Sequence, residues 1–89
     1  MIYNIYCFKD SVVGQFMNPF YQHNDNVAKR TLSQAVNDSN PNVVNQNVGD
    51  ISLYCVGTFN DVTGEVKSDL RHVANAVDFA LVDKEVSNG

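Results

Sequence analysis

Apolar positions recur along this chain with two different periods. Residues 2–8, Ile2-Tyr3-Asn4-Ile5-Tyr6-Cys7-Phe8, are β-branched, aromatic or small apolar side chains, Asn4 excepted. Such a run predicts a strand. Tyr3, Ile5 and Cys7 fall on one face, and Ile2, Tyr6 and Phe8 on the other, so the expected strand is central and covered on both sides. Lys9-Asp10-Ser11 reads as the turn that ends it. Residues 12–16 are interrupted by Gly14 and form either a short second strand or a turn back. Pro19 restricts Asn18 to extended backbone and closes that stretch.

The period changes after residue 24. Val27, Ala28, Thr31, Leu32, Ala35 and Val36 recur at three-to-four spacing and predict a helix over 24–37 with one apolar stripe. Asn24 or Asp25 is placed to cap it, and Asn37-Asp38-Ser39-Asn40-Pro41 stops it with turn formers. Residues 40–50 are crowded with asparagine and show no clean period, which predicts a long loop with room for one short strand. Alternation returns over 51–59: Ile51, Leu53 and Cys55 point one way, and Ser52, Tyr54, Val56 and Thr58 the other. Asn60-Asp61-Val62-Thr63-Gly64 reads as a hairpin loop in which Gly64 supplies the positive φ. Glu65-Val66-Lys67 is the return strand. Ser68 or Asp69 then caps a short helix through Leu70, Val73 and Ala74. Residues 77–82 alternate well enough for a last edge strand, with a helix suited almost as well, and 83–89 form a polar tail. The resulting fold class is α+β: two layers, with one main helix packed on a small, mainly antiparallel sheet in the order β-α-β-β plus a short terminal element. Residues 1–82 make one domain.

Composition narrows the function. At 89 residues the chain holds one small core, and large multi-layer enzyme folds are excluded. With six Lys plus Arg against ten Asp plus Glu, the formal net charge is −4. That balance argues against a strong, purely electrostatic grip on a phosphate backbone. No window approaches 18 consecutive apolar residues, and the opening lacks a basic region, so neither a membrane span nor a secretory signal is expected. Cys7 and Cys55 lie far apart without metal spacing, and His23 and His72 are isolated, so no metal site and no cofactor are expected. The thiols read as reduced, small hydrophobes; a disulfide between them would require neighbouring strands. Nothing local assembles a nucleophile with a base, and no glycine-rich phosphate loop is present, so the chain is not expected to be an enzyme.

Two binding surfaces remain. Tyr6 and Phe8 share a strand face, and Tyr54 joins them if the strands pair in that register. Aromatics exposed on a sheet stack on unpaired bases, and Lys9, Lys29, Arg30 and Arg71 would contact phosphates. The simpler alternative fills the core with the aromatics and leaves Lys29-Arg30 on a solvated helix face. The second surface is the aromatic cluster Phe16, Met17, Phe20 and Tyr21, a candidate protein-interaction patch whose alternative is packing against the helix. Sheet edges also offer pairing with copies of the same chain.

Four stretches together resemble the small nonstructural protein of microviruses, the tailless phages with circular single-stranded DNA genomes, and their gokushovirus-like branch in particular. These are the 2–9 strand with Met17-Asn18-Pro19-Phe20-Tyr21, the 24–36 helix running into Asn37-Asp38, the motif Gly57-Thr58-Phe59-Asn60-Asp61-Val62-Thr63-Gly64, and Val73-Ala74-Asn75-Ala76-Val77-Asp78-Phe79. Asn60 stands where the family has the first of two acids, and the tail beyond Phe79 is longer. The resemblance implies a non-virion protein of the infected bacterial cytoplasm, linked to synthesis and packaging of single-stranded viral DNA, with DNA and viral replication or capsid proteins as partners. It implies no catalytic residues. The 57–64 motif reads as a hairpin that sets strand register.

Overall fold

The computed structural model describes residues 1–80. Its strands are β1 (Ile2–Asp10), β2 (Gln15–Phe16), β3 (Phe20–Gln22), β4 (Ile51–Asn60) and β5 (Val66–Asn75), and its helix is α1 (Asp25–Val36). The five-stranded sheet is antiparallel in every pairing, in the order β2-β1-β4-β5, with β3 also on β1. The expected α+β class and single main helix stand. The β-α-β-β order does not, because two short strands precede the helix.

The helix is built as the sequence predicts. The Asn24 side chain accepts a hydrogen bond from the Val27 backbone N–H at 3.0 Å, and Asp25 places a negative charge in the first turn. Ala28, Leu32 and Val36 are buried against Tyr6, Ile51, Leu53, Cys55 and Ala74 of the sheet and Val44 of the loop that follows α1. Gly64 takes φ +79° in the 60–65 hairpin, where Asn60 accepts from the N–H groups of Val62 and Thr63.

Four local expectations are corrected. Lys9 and Asp10 continue β1, and the turn begins at Ser11; Asp10 accepts from the backbone N–H groups of Val12 and Val13. Residues 40–50 carry no strand: a 3-10 turn spans Asn45–Asp50. Its asparagines replace a ladder. Asn42 accepts from Val44 and Asn45, Asn45 accepts from Asn42, and the Asn42 amide donates to the Ala35 carbonyl, so Val44 is buried without an orphaned backbone. The short helix expected from Ser68 or Asp69 through Ala74 is part of the ten-residue β5. Leu70, Val73 and Ala74 have helical spacing, but β5 pairs with β4 at seven positions and that ladder decides the conformation. The 77–82 element is a 3-10 turn at Ala76–Phe79, with residues 81 and 82, like the 83–89 tail, outside the described residues.

β1 is central, as expected, but only one of its faces is covered. Tyr6 and Phe8 lie beneath α1, where Tyr6 is fully buried and Phe20 of β3 packs on both rings. Cys7 is opposite Tyr54, whereas Cys55 is opposite Tyr6. Directly paired residues share a face, so the two thiols lie on opposite sides of the sheet and cannot be bridged. Both are free and buried.

Candidate nucleic-acid interface

The face of the sheet away from α1 is defined by register. Tyr3, Ile5, Cys7 and Lys9 of β1 point to it, with Phe16 opposite Lys9, Tyr21 opposite Ile5, Tyr54 opposite Cys7 and Phe59 opposite Tyr3. On β5, His72 is opposite Tyr54. Among the described residues no helix or strand packs over this face, and Tyr21 remains 60% exposed and Phe16 41%.

A β-bulge assembles this surface. Val56 has no partner on either side of β4, since Ile5 pairs with Gly57 while Tyr6 pairs with Cys55, and Gly57 and Cys55 likewise skip it towards β5. The extra residue reverses the alternation. Tyr54 and Phe59, five positions apart and on opposite faces of a regular strand, therefore emerge on the same side.

Two aromatic groups result. The Tyr54 ring meets Phe16 edge-on at 5.5 Å and His72 edge-on at 5.3 Å, forming a row across β2, β1, β4 and β5. The Lys9 ammonium lies 5.2 Å from the Phe16 ring centre and 5.6 Å from that of Tyr54. It is a cation held at the ring faces, and among the described residues no carboxylate forms an ion pair with it. Towards the other end, Tyr21 and Phe59 are 6.0 Å apart and line, with Tyr3, a recess of about 150 Å³. His23 joins Tyr3 at 5.0 Å. From Cys7 to Tyr3 a strand advances about 13 Å, so both groups lie along one short path.

The structure divides the residues read from the sequence. Lys9 and Tyr54 are together on the open face. Tyr6 and Phe8 are not: the register that puts Tyr54 beside Cys7 puts them in the core. Lys29 and Arg30 sit on α1, in the other layer. Arg71 projects to the helix side and is held by Asp25. The Phe16, Met17, Phe20, Tyr21 cluster splits, with Met17 and Phe20 packed against the core and Phe16 and Tyr21 on the open face. Tyr3, Phe59 and His72 also lie on the open face; the odd-numbered set of β1 signals Tyr3 in the sequence, whereas Phe59 needs the bulge.

Arg71 and Tyr6 form a separate polar node. The Tyr6 hydroxyl donates to Asp25 at 2.6 Å and accepts from the Asn4 amide at 2.9 Å, and Arg71 grips Asp25 through two hydrogen bonds of 2.7 and 3.0 Å. This satisfies the one polar atom of a buried ring and ties β5 and β1 to the start of α1. The Arg71 guanidinium, then the Tyr6 hydroxyl, lower Asp25 to about 2. Burial, then the bond to Asp25, pushes Tyr6 up to about 12.

A depressed carboxylate contributes stability above its unfolded pKa of about 4 and loses it as pH falls towards the folded value. The raised Tyr6 contributes below about pH 10 and loses it as pH climbs to the folded value. Asp25→Asn should therefore be about 1 kcal/mol less stable than wild type at pH 7, after discounting for the partial exposure of the pair. Urea midpoints measured from pH 7 to pH 2 should converge between about pH 4 and 2. A gap that persists at pH 2 would mean that the carboxylate charge is not what the node uses.

Among the described residues no helix is long and apolar enough to cross a membrane. No curated protein and no solved structure matches the chain. The profile of a family described as Phage ORF5 protein matches residues 3–79, which include the helix, all but the first residue of the strands, and the rings of the open face. The chain thus belongs to the Phage ORF5 protein family and is a phage protein.

Proposed function

We propose that this protein is a non-enzymatic accessory protein of a microvirus that binds single-stranded DNA on its open sheet face during viral genome synthesis or packaging, in the cytoplasm of the infected bacterium and outside the virion. The observation that carries the reading is the uncovered row Phe16–Tyr54–His72 with Lys9 over its rings. Flat rings presented at a sheet surface accept any base, each stacked base contributing about 1–3 kcal/mol. Duplex DNA hides those base faces. The resemblance to microvirus nonstructural proteins supports the genome-synthesis setting. A purely binding role is supported by the burial of both thiols, with Cys7 pushed up by that burial and so poorly ionised.

The open face carries one described cation, Lys9, and the chain is acidic overall. Affinity on this surface is therefore stacking-driven. Fluorescence anisotropy with a labelled oligothymidine should show binding whose log K falls with log salt at a slope of about −1, near the −0.7 expected for one phosphate contact on a single strand. The same oligonucleotide in duplex form should not compete. Absence of binding at 20–50 mM salt (a range set on the order of the low-salt regime) would remove the DNA reading, leaving the face as a protein-docking surface. A slope of roughly −4 or steeper would move the contact to the charged residues of the helix layer.

A further inference from the structure

β5 is ten residues long and, among the described residues, has β4 on one side only, so its outer edge is the long unpaired edge of the described sheet. Residues 66–72 are all exposed, including Val66 at 63% and Leu70 at 62%. Edge strands of this length are ordinarily protected by proline, by a bulge in mid-strand or by charges that repel a copy. β5 has no proline; Val73 is skipped between the Leu53–Ala74 and Tyr54–His72 pairs near its far end, and Asp69 and Leu70 are skipped in mid-strand beside the Val56 bulge, where Ser68 on the open face and Arg71 on the helix side keep the alternation of β5 itself. The charges remain, and their order is unusual.

The segment Glu65-Val66-Lys67-Ser68-Asp69-Leu70-Arg71 is self-complementary about Ser68. An antiparallel strand paired with its own copy around a twofold axis at Ser68 sets, each twice, Lys67 opposite Asp69, Val66 opposite Leu70, and Glu65 opposite Arg71, whose guanidinium already holds Asp25. Opposite charges and paired apolar side chains directly across two strands stabilise a ladder, and like charges oppose it. The pattern also fixes the register. Moving the axis one residue back to Lys67 sets Glu65 against Asp69, and moving it one residue on to Asp69 sets Lys67 against Arg71. The charges that would protect an edge in random order therefore select one pairing.

We infer that the protein forms a twofold homodimer through β5, with Ser68 at the axis, the occupant of the edge being a second copy of this chain. The faces agree with this. Val66 and Ser68 pair with Phe59 and Gly57 and so share the open face, whereas Lys67 and Arg71 pair with Thr58 and Cys55 on the helix side. The apolar contacts therefore form on one side of the joined sheet and the ionic contacts on the other. A twofold axis perpendicular to the sheet keeps each face on its own side. The two copies present one continuous open face with an aromatic row on either flank of the seam, and both helices lie behind it. The association does not depend on the DNA reading, since it uses none of the ring residues.

Sedimentation equilibrium without nucleic acid tests it in the full chain. Wild type should dimerise. Lys67→Asp sets two like-charged pairs at the seam and should weaken dimerisation about ten- to thirtyfold. The exchanged variant K67D/D69K restores opposite charges in reversed order and should return to near wild-type association. Both positions are exposed, and circular dichroism should show unchanged folding. A wild type that stays monomeric at several hundred micromolar (on the order of the weak-complex range), a Lys67→Asp protein that dimerises as well as wild type, or an exchanged variant that stays dissociated would each overturn the inference. Loss of DNA binding with dimerisation intact would instead count against the proposed function alone.

Discussion

Gly57→Ala should destabilise the fold by about 3 kcal/mol or more, the largest effect expected of any single added methyl group in this chain. A Cβ built at Gly57 lies 2.1 Å from the Lys67 carbonyl oxygen and 3.1 Å from its carbon. The obstacle is backbone, so no rotamer change relieves it. β4 and β5 would have to separate at the bulge, where Val56 already leaves the ladder irregular. Separation there loosens the strand that carries Arg71, and with it the grip on Asp25. A domain of this size is stable by about 5–10 kcal/mol, so the change removes a large fraction and should lower the melting temperature by on the order of 15 °C. Gly49→Ala is the matched control, because nothing lies within 4 Å of the added atom. It should stay within about 0.5 kcal/mol of wild type. Equal urea midpoints for Gly57→Ala and wild type would show that the close approach of the two strands is not a constraint on the fold.

The same bulge marks where the sequence stops being legible. Elements governed by local chemistry can be read from it: the Asn24 cap, the stripe through Ala28, Leu32 and Val36, the 60–64 turn with its positive-φ Gly64, and the alternation of Ile51, Leu53 and Cys55. Each is decided within a few residues. The face of Tyr54 is decided by pairing. Regular alternation separates Tyr54 from Phe59, and only the partners of Val56, or its lack of them, bring them together. Nor does the sequence of β1 tell its two apolar faces apart. Tyr6 is buried because its hydroxyl finds Asp25 and Asn4, whereas Tyr3 finds only rings. β5 failed for a related reason. Leu70, Val73 and Ala74 fit a helix by spacing, and the exposure of Leu70 shows that the strand is held by its ladder rather than by a buried stripe. The charge order around Ser68 was visible throughout but acquires meaning only once 65–71 is known to lie on an open edge.

Tyr54 carries the largest expected effect on binding. Its ring touches both Phe16 and His72, and the Lys9 ammonium sits within 6 Å of it. Tyr54→Ala removes one stacking platform and releases two neighbours, so affinity for single-stranded oligothymidine should fall about ten- to a hundredfold, the range that one lost base contact predicts. Tyr54→Phe keeps the ring and should retain most of the affinity. Phe16→Ala should cost nearly as much, and the Phe16→Ala, Tyr54→Ala pair less than the product of the two, because each ring positions the other. Tyr54 is half-buried at a surface, away from the cluster beneath α1, so the variant should stay folded, and urea midpoints verify this independently. Lys29→Ala and Arg30→Ala on the helix layer should change nothing. The reverse pattern, an indifferent Tyr54→Ala beside a weakened Lys29→Ala, would place the nucleic acid on the helix face and make its grip electrostatic. In a chain with net charge −4 such a grip would have to rest on a local patch against the overall field, with a steep dependence on salt. The open face needs no such patch: its rings are already in place across four strands, and the Lys9 ammonium lies against the Phe16 and Tyr54 rings.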